Sequence, residues 1–361
     1  MSSASKFDYL IVGQGLAGSV LAWLLDQRGK KVLIIDSPTL PSASKISAGI
    51  FNPLTGKKLV KTWLAEDLFP LAHNFYSGLE KIFDTHLVHD TNIYRPFRNV
   101  QEQNAYLSQS TDEGIGQYVA NAPDHDKYGN FIQNPHGGLE VTRAGWVDVP
   151  EMLHKIKCYF IEKSQYVETE FLYNDLIINS LGVEWKNYQF EKVIFCEGVQ
   201  ARENPFFDWL PYNPVKGQIL TVQIDGYDIR EIVNQGVWVI PSENGLCRIG
   251  ATYSWHDLDW QTTADGRAYI ENKLQNFLKV PYQVVGQEAG IRPATKARKP
   301  ILGLHPDHKT LGIFNGLGTK GVTLAPYFAT QMVAHLEDGK ELSPDVNIEN
   351  HFSLYFGKEK A

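Results

Sequence analysis

The sequence predicts an α/β chain of two domains, one a dinucleotide-binding domain that begins near the N-terminus and the other built on an antiparallel sheet. Residues 7–36 read FDYLIVGQGLAGSVLAWLLDQRGKKVLIID: an apolar run, a glycine-rich turn, a helical pattern and a second apolar run. Residues 217–252 instead carry short strand-like runs, the last two joined through Asn244-Gly245, a strong hairpin signal. A length of 361 residues also suits two domains better than one.

In the opening unit a strand over 9–12 stops at Gly13-Gln14-Gly15, and Leu16, Val20, Leu24 and Leu25 recur at helical spacing until Gly29. A second strand over 32–35 closes the β-α-β unit, and Asp36 finishes it. Gly13, Gly15 and Gly18 fall as G-x-G-x-x-G, the dinucleotide-binding fingerprint. Gly13 allows the tight turn, Gly15 lets a pyrophosphate approach the backbone, and Gly18 lets the helix pack on the strand. The anion then sits on a helix N-terminus. Asp36 lies 18 residues past Gly18, where about 20 is expected of the acid that accepts hydrogen bonds from a ribose hydroxyl. A carboxylate repels a phosphorylated ribose, so FAD or NAD is favoured over NADP.

The Ser/Pro-rich connection over 37–58 has too many turn formers for a regular element, and its length points to function. Over 62–83, Leu64, Leu68, Leu71, Phe75, Leu79 and Ile82 trace one helical face, with Pro70 kinking or restarting the helix. Residues 91–137 offer only strand-like pieces at 92–94 and 118–120. Residues 145–150 open another helix, with Asp148 as N-cap and Pro150 in its first turn. A short buried strand follows over 193–196, then the antiparallel strands 219–224, 236–240 and 247–252. Finally a strand over 311–314 runs into a second glycine-rich turn, 315–322, and a helix through Leu336.

Composition narrows the function. Lys and Arg number 34 against 41 Asp and Glu, a formal charge of -7 that gives no support to a nucleic-acid partner. No secretory leader and no run long enough to span a bilayer are evident. Cys158, Cys196 and Cys247 lie far apart, and with no glycosylation sequon the expectation is a reduced, cytoplasmic chain. The close histidine pairs, His86 with His89 and His305 with His308, have no third ligand nearby in sequence, so solvated loop histidines and no metal are expected. No G-x-S-x-G and no Walker loop supports hydrolysis or phosphoryl transfer.

GQGLAG at 13–18, SASKISAGIFNP at 42–53, PVKGQIL at 214–220, IPSENGLCRIGAT at 240–252, AGIRPATKARKPILG at 289–303 and NGLGTKGVTLAP at 315–326 together resemble the D-amino-acid-oxidase-like FAD oxidoreductases. The nearer resemblance is to the branch holding glycine oxidase and the oxidase domain of the bifunctional tRNA-modification enzyme. It runs in order through nearly the whole chain. It implies a doubly wound, Rossmann-like FAD-binding domain assembled from 1–62, 138–205 and 300–361. The α+β substrate domain, 63–137 and 206–299, would cover the isoalloxazine with its antiparallel sheet.

The resemblance also implies roles. Gly13, Gly15 and Gly18, with Leu16 and Ala17, would hold the pyrophosphate, Asp36 the adenosine ribose, and Ser44, Ala48 and Gly49 the pyrophosphate and flavin edge. Phe171 would offer backbone contacts to the adenine, with Gly198 near it. The late loop, Gly316, Gly318, Thr319, Lys320, Gly321 and Val322, would meet the flavin pyrimidine, its helix N-terminus aimed where negative charge gathers on reduction. Arg292 would bind the substrate carboxylate over the flavin, opposite Trp238 and Tyr253 on the two hairpin strands. Glycine oxidase takes a second basic residue from the position of Thr319, whereas this chain has Lys320 one place on, so the carboxylate clamp differs. No cysteine lies between 290 and 325, so the FAD should be noncovalent.

The implied reaction is hydride transfer from the Cα of a small amino acid or N-substituted amino acid to flavin N5, giving an imine that water hydrolyses, with oxygen taking the electrons as peroxide. Two alternatives stand beside it. One is a dehydrogenase of the same fold, acting on a modified tRNA base or passing electrons to another carrier, and the other is a flavin-binding protein without amine chemistry.

Overall fold

A computed structural model describes residues 5–56, 58–121, 123–179 and 182–358. The chain divides into two compact units: Met1–Ser47, Val149–Val215 and Ile291–Ala361 form one, and Ala48–Asp148 with Lys216–Gly290 form the other. The divisions differ from those expected at 62, 138, 205 and 300. Strand Ile50–Phe51 pairs with Gly145–Val147, which also pairs with Val88–Asp90, so the chain has already entered the second unit before residue 62.

In the first unit, Ser5–Val12 lies between Val32–Asp36 and Tyr188–Phe195, parallel to both. Tyr166–Glu168 extends the parallel set beyond Val32–Asp36, and Leu311–Asn315 extends it beyond Tyr188–Phe195. Antiparallel strands Gly182–Trp185, Leu176–Asn179 and Ile301–Leu304 complete the eight. The central strands read as continuous apolar runs because both faces are covered. Leu10, Ile11, Leu33, Ile34, Val193, Ile194, Leu311 and Ile313 are all buried. Helix Leu16–Gln27 is buried along nearly its whole length and packs on helices Val149–Glu162 and Gly321–Asp338. Asp26 near its end accepts the Tyr159 hydroxyl at 2.7 Å and pairs with Lys163.

In the second unit a seven-stranded sheet runs in the order Gln283–Arg292, Val215–Gln223, Leu246–Gly250, Trp238–Pro241, Ile232–Asn234, Ile93–Pro96 and Gly138–Val141. It is not wholly antiparallel: Ile232–Asn234 and Ile93–Pro96 run parallel. The Asn244-Gly245 turn is where the sequence put it, with Asn244 left-handed at φ 58°. One apolar cluster holds Leu220, Val222, Val239, Cys247 and Ile249 with Ile270 and Leu274 of helix Ala264–Leu274. A second holds Ile93, Leu139, Ile232 and Ile240 with Ala65.

The helix expected over 62–83 forms as Ala65–Phe83 and runs through Pro70 as one element. Its buried stripe is Ala65, Leu68, Ala72, Tyr76 and Leu79, while Ile82 is 57% exposed. Residues 118–120 make only a single bridge, Val119 to Val141. The segment 145–147 is a strand that precedes the helix Val149–Glu162.

Removing side-chain bulk from the centre of the first unit should cost far more than at its rim. Leu10→Ala, at a fully buried position, should lower unfolding free energy by about 2–5 kcal/mol. Ile177→Ala, at 59% exposure, should stay within about 0.5 kcal/mol. Urea titration of both variants checks the contrast.

Candidate active site

The five parallel strands of the first unit end level with one another. Glu168 is opposite Asp36, Val12 is opposite both Ile35 and Phe195, and Phe195 is opposite Ile313. Gly13, Asp36, Phe171, Gly198 and Gly316, widely spaced in sequence, therefore all lie at or just past carboxyl ends of neighbouring strands. That is where open parallel sheets take their ligands.

At Gly13 the chain turns with φ 99°, and a methyl group added there would come 2.6 Å from the Cys196 carbonyl oxygen. A methyl on Gly18 would overlap the Gly13 carbonyl oxygen. The two glycines thus let helix and strand approach to backbone contact, and no larger residue fits. Gly15, the N-cap of the first helix, provides no side-chain cap, and Ser44 Oγ accepts the Leu16 N–H at 3.0 Å instead. Asp36 accepts the Gln14 N–H at 2.9 Å, and burial raises its carboxyl above the usual range against the pull of that bond and of Lys45 and Lys157.

The second glycine-rich turn meets the first. A methyl on Gly321 would come 2.9 Å from Leu16 Cδ2, so the N-terminus of helix Gly321–Asp338 adjoins that of Leu16–Gln27. Buried Asn315 ties the turns: its amide donates to the Gly198 carbonyl at 2.8 Å, and its Oδ1 accepts the Gly316 N–H at 2.8 Å. Sequence reading passed over Asn315; its place beside Gly316 was the only signal. Lys320 caps the helix start without a side-chain bond to it, and burial lowers its ammonium below the usual lysine range. Val322 is buried and Thr319 is exposed.

Arg292 ends the strand Gln283–Arg292 and is half-buried, whereas Lys296 and Arg298 are exposed. The Gly318 N–H donates to the Pro293 carbonyl at 3.1 Å, joining the Arg292 segment to the late loop. Ala48 and Gly49 come directly after Ser47, the end of the first unit's opening segment. They belong to the second unit, where Gly49, at φ 68°, packs so closely on Val147 that a methyl would overlap its carbonyl oxygen.

Trp238 and Tyr253 also belong to the second unit. Trp238 begins its strand opposite Gly250, and a methyl on Gly250 would come 2.7 Å from Trp238 Cζ2. Tyr253 is not on the hairpin strand but beyond its end at Gly250, and it is 57% exposed. There the chain has left Trp238's strand and pairs instead with Lys216, through Ser254.

Sequence reading also missed Glu197, between Cys196 and Gly198. Its carboxylate accepts the Tyr173 hydroxyl and an Asn204 amide hydrogen, each at 2.7 Å. Burial pushes it up to about 7 against those two bonds. The folded chain holds this proton in a range where an unfolded carboxyl has lost it, so its contribution to stability falls as pH rises from about 4.5 to 7.

No group of three or more metal-ligating side chains occurs among the described residues. His305 is not solvated as expected. It is buried, its Nδ1 accepts the N–H groups of Asp307 and His308, and burial holds it neutral, down to about 4. His89 stacks on Trp146 at 3.8 Å.

The family described as FAD dependent oxidoreductase matches residues 8–336. The chain belongs to this family. It is 22% identical to an uncharacterized oxidoreductase, YurR, of Bacillus subtilis, across 94% of this chain and 97% of that protein. It is 22% identical to the tRNA 5-methylaminomethyl-2-thiouridine biosynthesis bifunctional protein of Marinobacter nauticus, across 89% of this chain but only 54% of that protein. The crystal structure of glycine oxidase from Geobacillus kaustophilus superposes with a TM-score of 0.76 at 21% identity, covering 94% and 96% of the two chains.

FAD is the cofactor of this oxidoreductase family, and the first unit fits it. Its glycine cradle closes on backbone, an acid stands at the end of the second strand, and two helix N-termini adjoin. No helix among the described residues is long and apolar enough to cross a membrane.

Gly18→Ala should yield protein that binds FAD at least tenfold more weakly, because its methyl forces the helix off the strand. Gly29→Ala, with φ 76° and open space around it, should cost only about 1–2 kcal/mol of stability and keep the flavin. Flavin content after purification, with thermal melts, separates the two.

Proposed function

We infer that this FAD-dependent oxidoreductase oxidises the C–N bond of a small amino acid or N-substituted amino acid and passes the electrons to oxygen. The observation that carries the reading is Arg292, a half-buried residue at a strand end, tied through Pro293 to the loop of Lys320. A planar fork of donors suits a carboxylate in two-bonded geometry, which fixes orientation as well as affinity. The likeness to glycine oxidase supports the same substrate class.

Bound FAD supplies a hydride acceptor at N5. Gly13, Gly15 and Gly18 would seat its pyrophosphate, Asp36 its ribose, and the backbone near Phe171 and Gly198 its adenine. Lys320 and the helix start at Gly321 bring positive charge to the late loop, where they would stabilise negative charge on the pyrimidine edge. Desolvation strengthens that effect, since the Lys320 ammonium is already partly removed from water. Attachment to the protein should be noncovalent: no cysteine lies between 290 and 325, and Cys196 and Cys247 are buried, with thiols pushed up by that burial, Cys247 to about 12.

A dehydrogenase acting on a modified tRNA base is the second reading. The similarity to the Marinobacter protein favours it, and the formal charge of -7 weighs against it. Peroxide formed in step with substrate loss selects the oxidase. Dye reduction without peroxide selects the dehydrogenase.

Losing an ion-paired anchor in a shielded site costs on the order of 2–5 kcal/mol, so Arg292→Ala should raise the KM of the amino-acid substrate at least tenfold. Arg292→Lys should fall between, keeping charge without the fork. Steady-state kinetics with a substrate and its decarboxylated analogue are decisive: wild type should prefer the acid and the alanine variant should not. A variant that keeps the preference holds the carboxylate elsewhere.

Lys320→Met should weaken sulfite binding to the oxidised flavin, read as loss of visible absorbance on titration. Unchanged sulfite affinity would remove Lys320 from the flavin's electrostatics.

A further inference from the structure

Glu197 stands where the cofactor reading left no role for it. It follows Cys196, whose carbonyl backs the Gly13 turn, and a methyl on Gly13 would come 3.3 Å from the Glu197 Cα. Its carboxylate points into a polar cluster closed by Tyr173 and Asn204. Tyr173 belongs to the segment that follows strand Tyr166–Glu168 and contains Phe171, so the Tyr173 bond ties the expected adenine contact to the Gly198 turn.

The groups facing Glu197 are acidic or neutral. Cys196, Tyr173 and Tyr212 all feel its charge, Glu203 acts on Tyr173, and Asp208 acts on Tyr212. No cation is among the groups that shift Glu197 itself, and Arg202 on the neighbouring turn is exposed. The buried Tyr212 hydroxyl finds no hydrogen-bond partner among the described residues.

We propose that Glu197 is a proton-linked member of the FAD site: seating the dianionic pyrophosphate on the Gly13 turn is coupled to protonation of the carboxyl held by Tyr173 and Asn204. Two negative charges sharing one poorly solvated strand end repel, and uptake of a proton relieves the repulsion. By linkage, the ligand that favours protonation binds better where the proton is already present. FAD affinity therefore falls as pH rises through neutrality. Glu197 acts as a positioning residue for the adenine end and takes no part in the redox step. The inference rests on family membership and the glycine cradle, and is independent of the substrate.

The test is the FAD dissociation constant of the full-length protein from pH 6 to pH 8, by flavin fluorescence, with calorimetry at pH 7 in two buffers of different ionisation enthalpy. Wild type should bind about five- to tenfold more weakly at pH 8 than at pH 6. Like charges on the order of 10 Å apart at an effective permittivity of about 20 repel by the equivalent of more than about tenfold in affinity per pair, and one group titrating near neutrality changes affinity by at most about tenfold across that window. It should also take up protons on binding. Glu197→Gln, which mimics the protonated acid, should show neither the slope nor the uptake, and should bind FAD more tightly than wild type at pH 8.

A flat wild-type profile without proton uptake would overturn the proposal, as would a glutamine variant that keeps the wild-type slope, even with a lowered Tm. If the glutamine variant does not fold, Tyr173→Phe serves instead. It removes a donor to the carboxylate and should move the midpoint of the affinity profile to higher pH, and an unmoved midpoint would count against Glu197.

Discussion

Backbone contact between the first helix and the strand ends is the constraint on which the first unit depends. Gly18 rests against the Gly13 carbonyl, and Gly13 against that of Cys196, so helix Leu16–Gln27 starts directly over the carboxyl ends of the parallel strands. That placement brings its N-terminus beside the one at Gly321 and leaves Asn315 to bridge the Gly198 and Gly316 turns. Two helix N-termini converging on one sheet edge make a region of positive potential that suits a dinucleotide. A single methyl group at Gly13 or Gly18 would separate these parts.

The same edge holds ionisable groups away from water. Burial raises the carboxyls of Asp36 and Glu197 and lowers the ammonium of Lys320, in each case toward the neutral form. Asp36 is compensated by the Gln14 N–H, and Glu197 by a hydroxyl and an amide rather than by a cation. The charge of a bound cofactor therefore weighs heavily here. Buried ionisable groups of this kind gather at functional sites more often than in purely structural cores.

Much of the first unit was legible because its signals are local. The β-α-β pattern needs only glycine spacing and apolar period, and the late loop repeats that strand-to-helix turn. The strands Tyr166–Glu168, Leu176–Asn179 and Gly182–Trp185 were not legible: they are short, and the last turns through Lys186-Asn187 with the left-handed position, φ 53°, taken by the lysine rather than by a glycine. The helix stripe at Ala65 and Ala72 was misread because small residues that pack closely look weaker than the bulky Leu71 and Ile82 beside them. Tyr253 was placed on a hairpin strand by the family resemblance, yet the strand ends at Gly250, and where strand pairing stops is a long-range fact that the local pattern does not carry. Glu197 and Asn315 belong to no motif. Their importance comes from partners far away in sequence.

We propose that this FAD oxidoreductase takes electrons from a carbon that bears both an amine and a carboxylate. Anaerobic mixing of the holoprotein with a panel of amino acids, N-substituted amino acids and their decarboxylated analogues, followed by flavin absorbance, tests it most directly. At least one carboxylate-bearing amine should bleach the flavin, and its decarboxylated analogue should not. A flavin that stays oxidised with every amino acid on the panel, or that is bleached equally with and without the carboxylate, would contradict it.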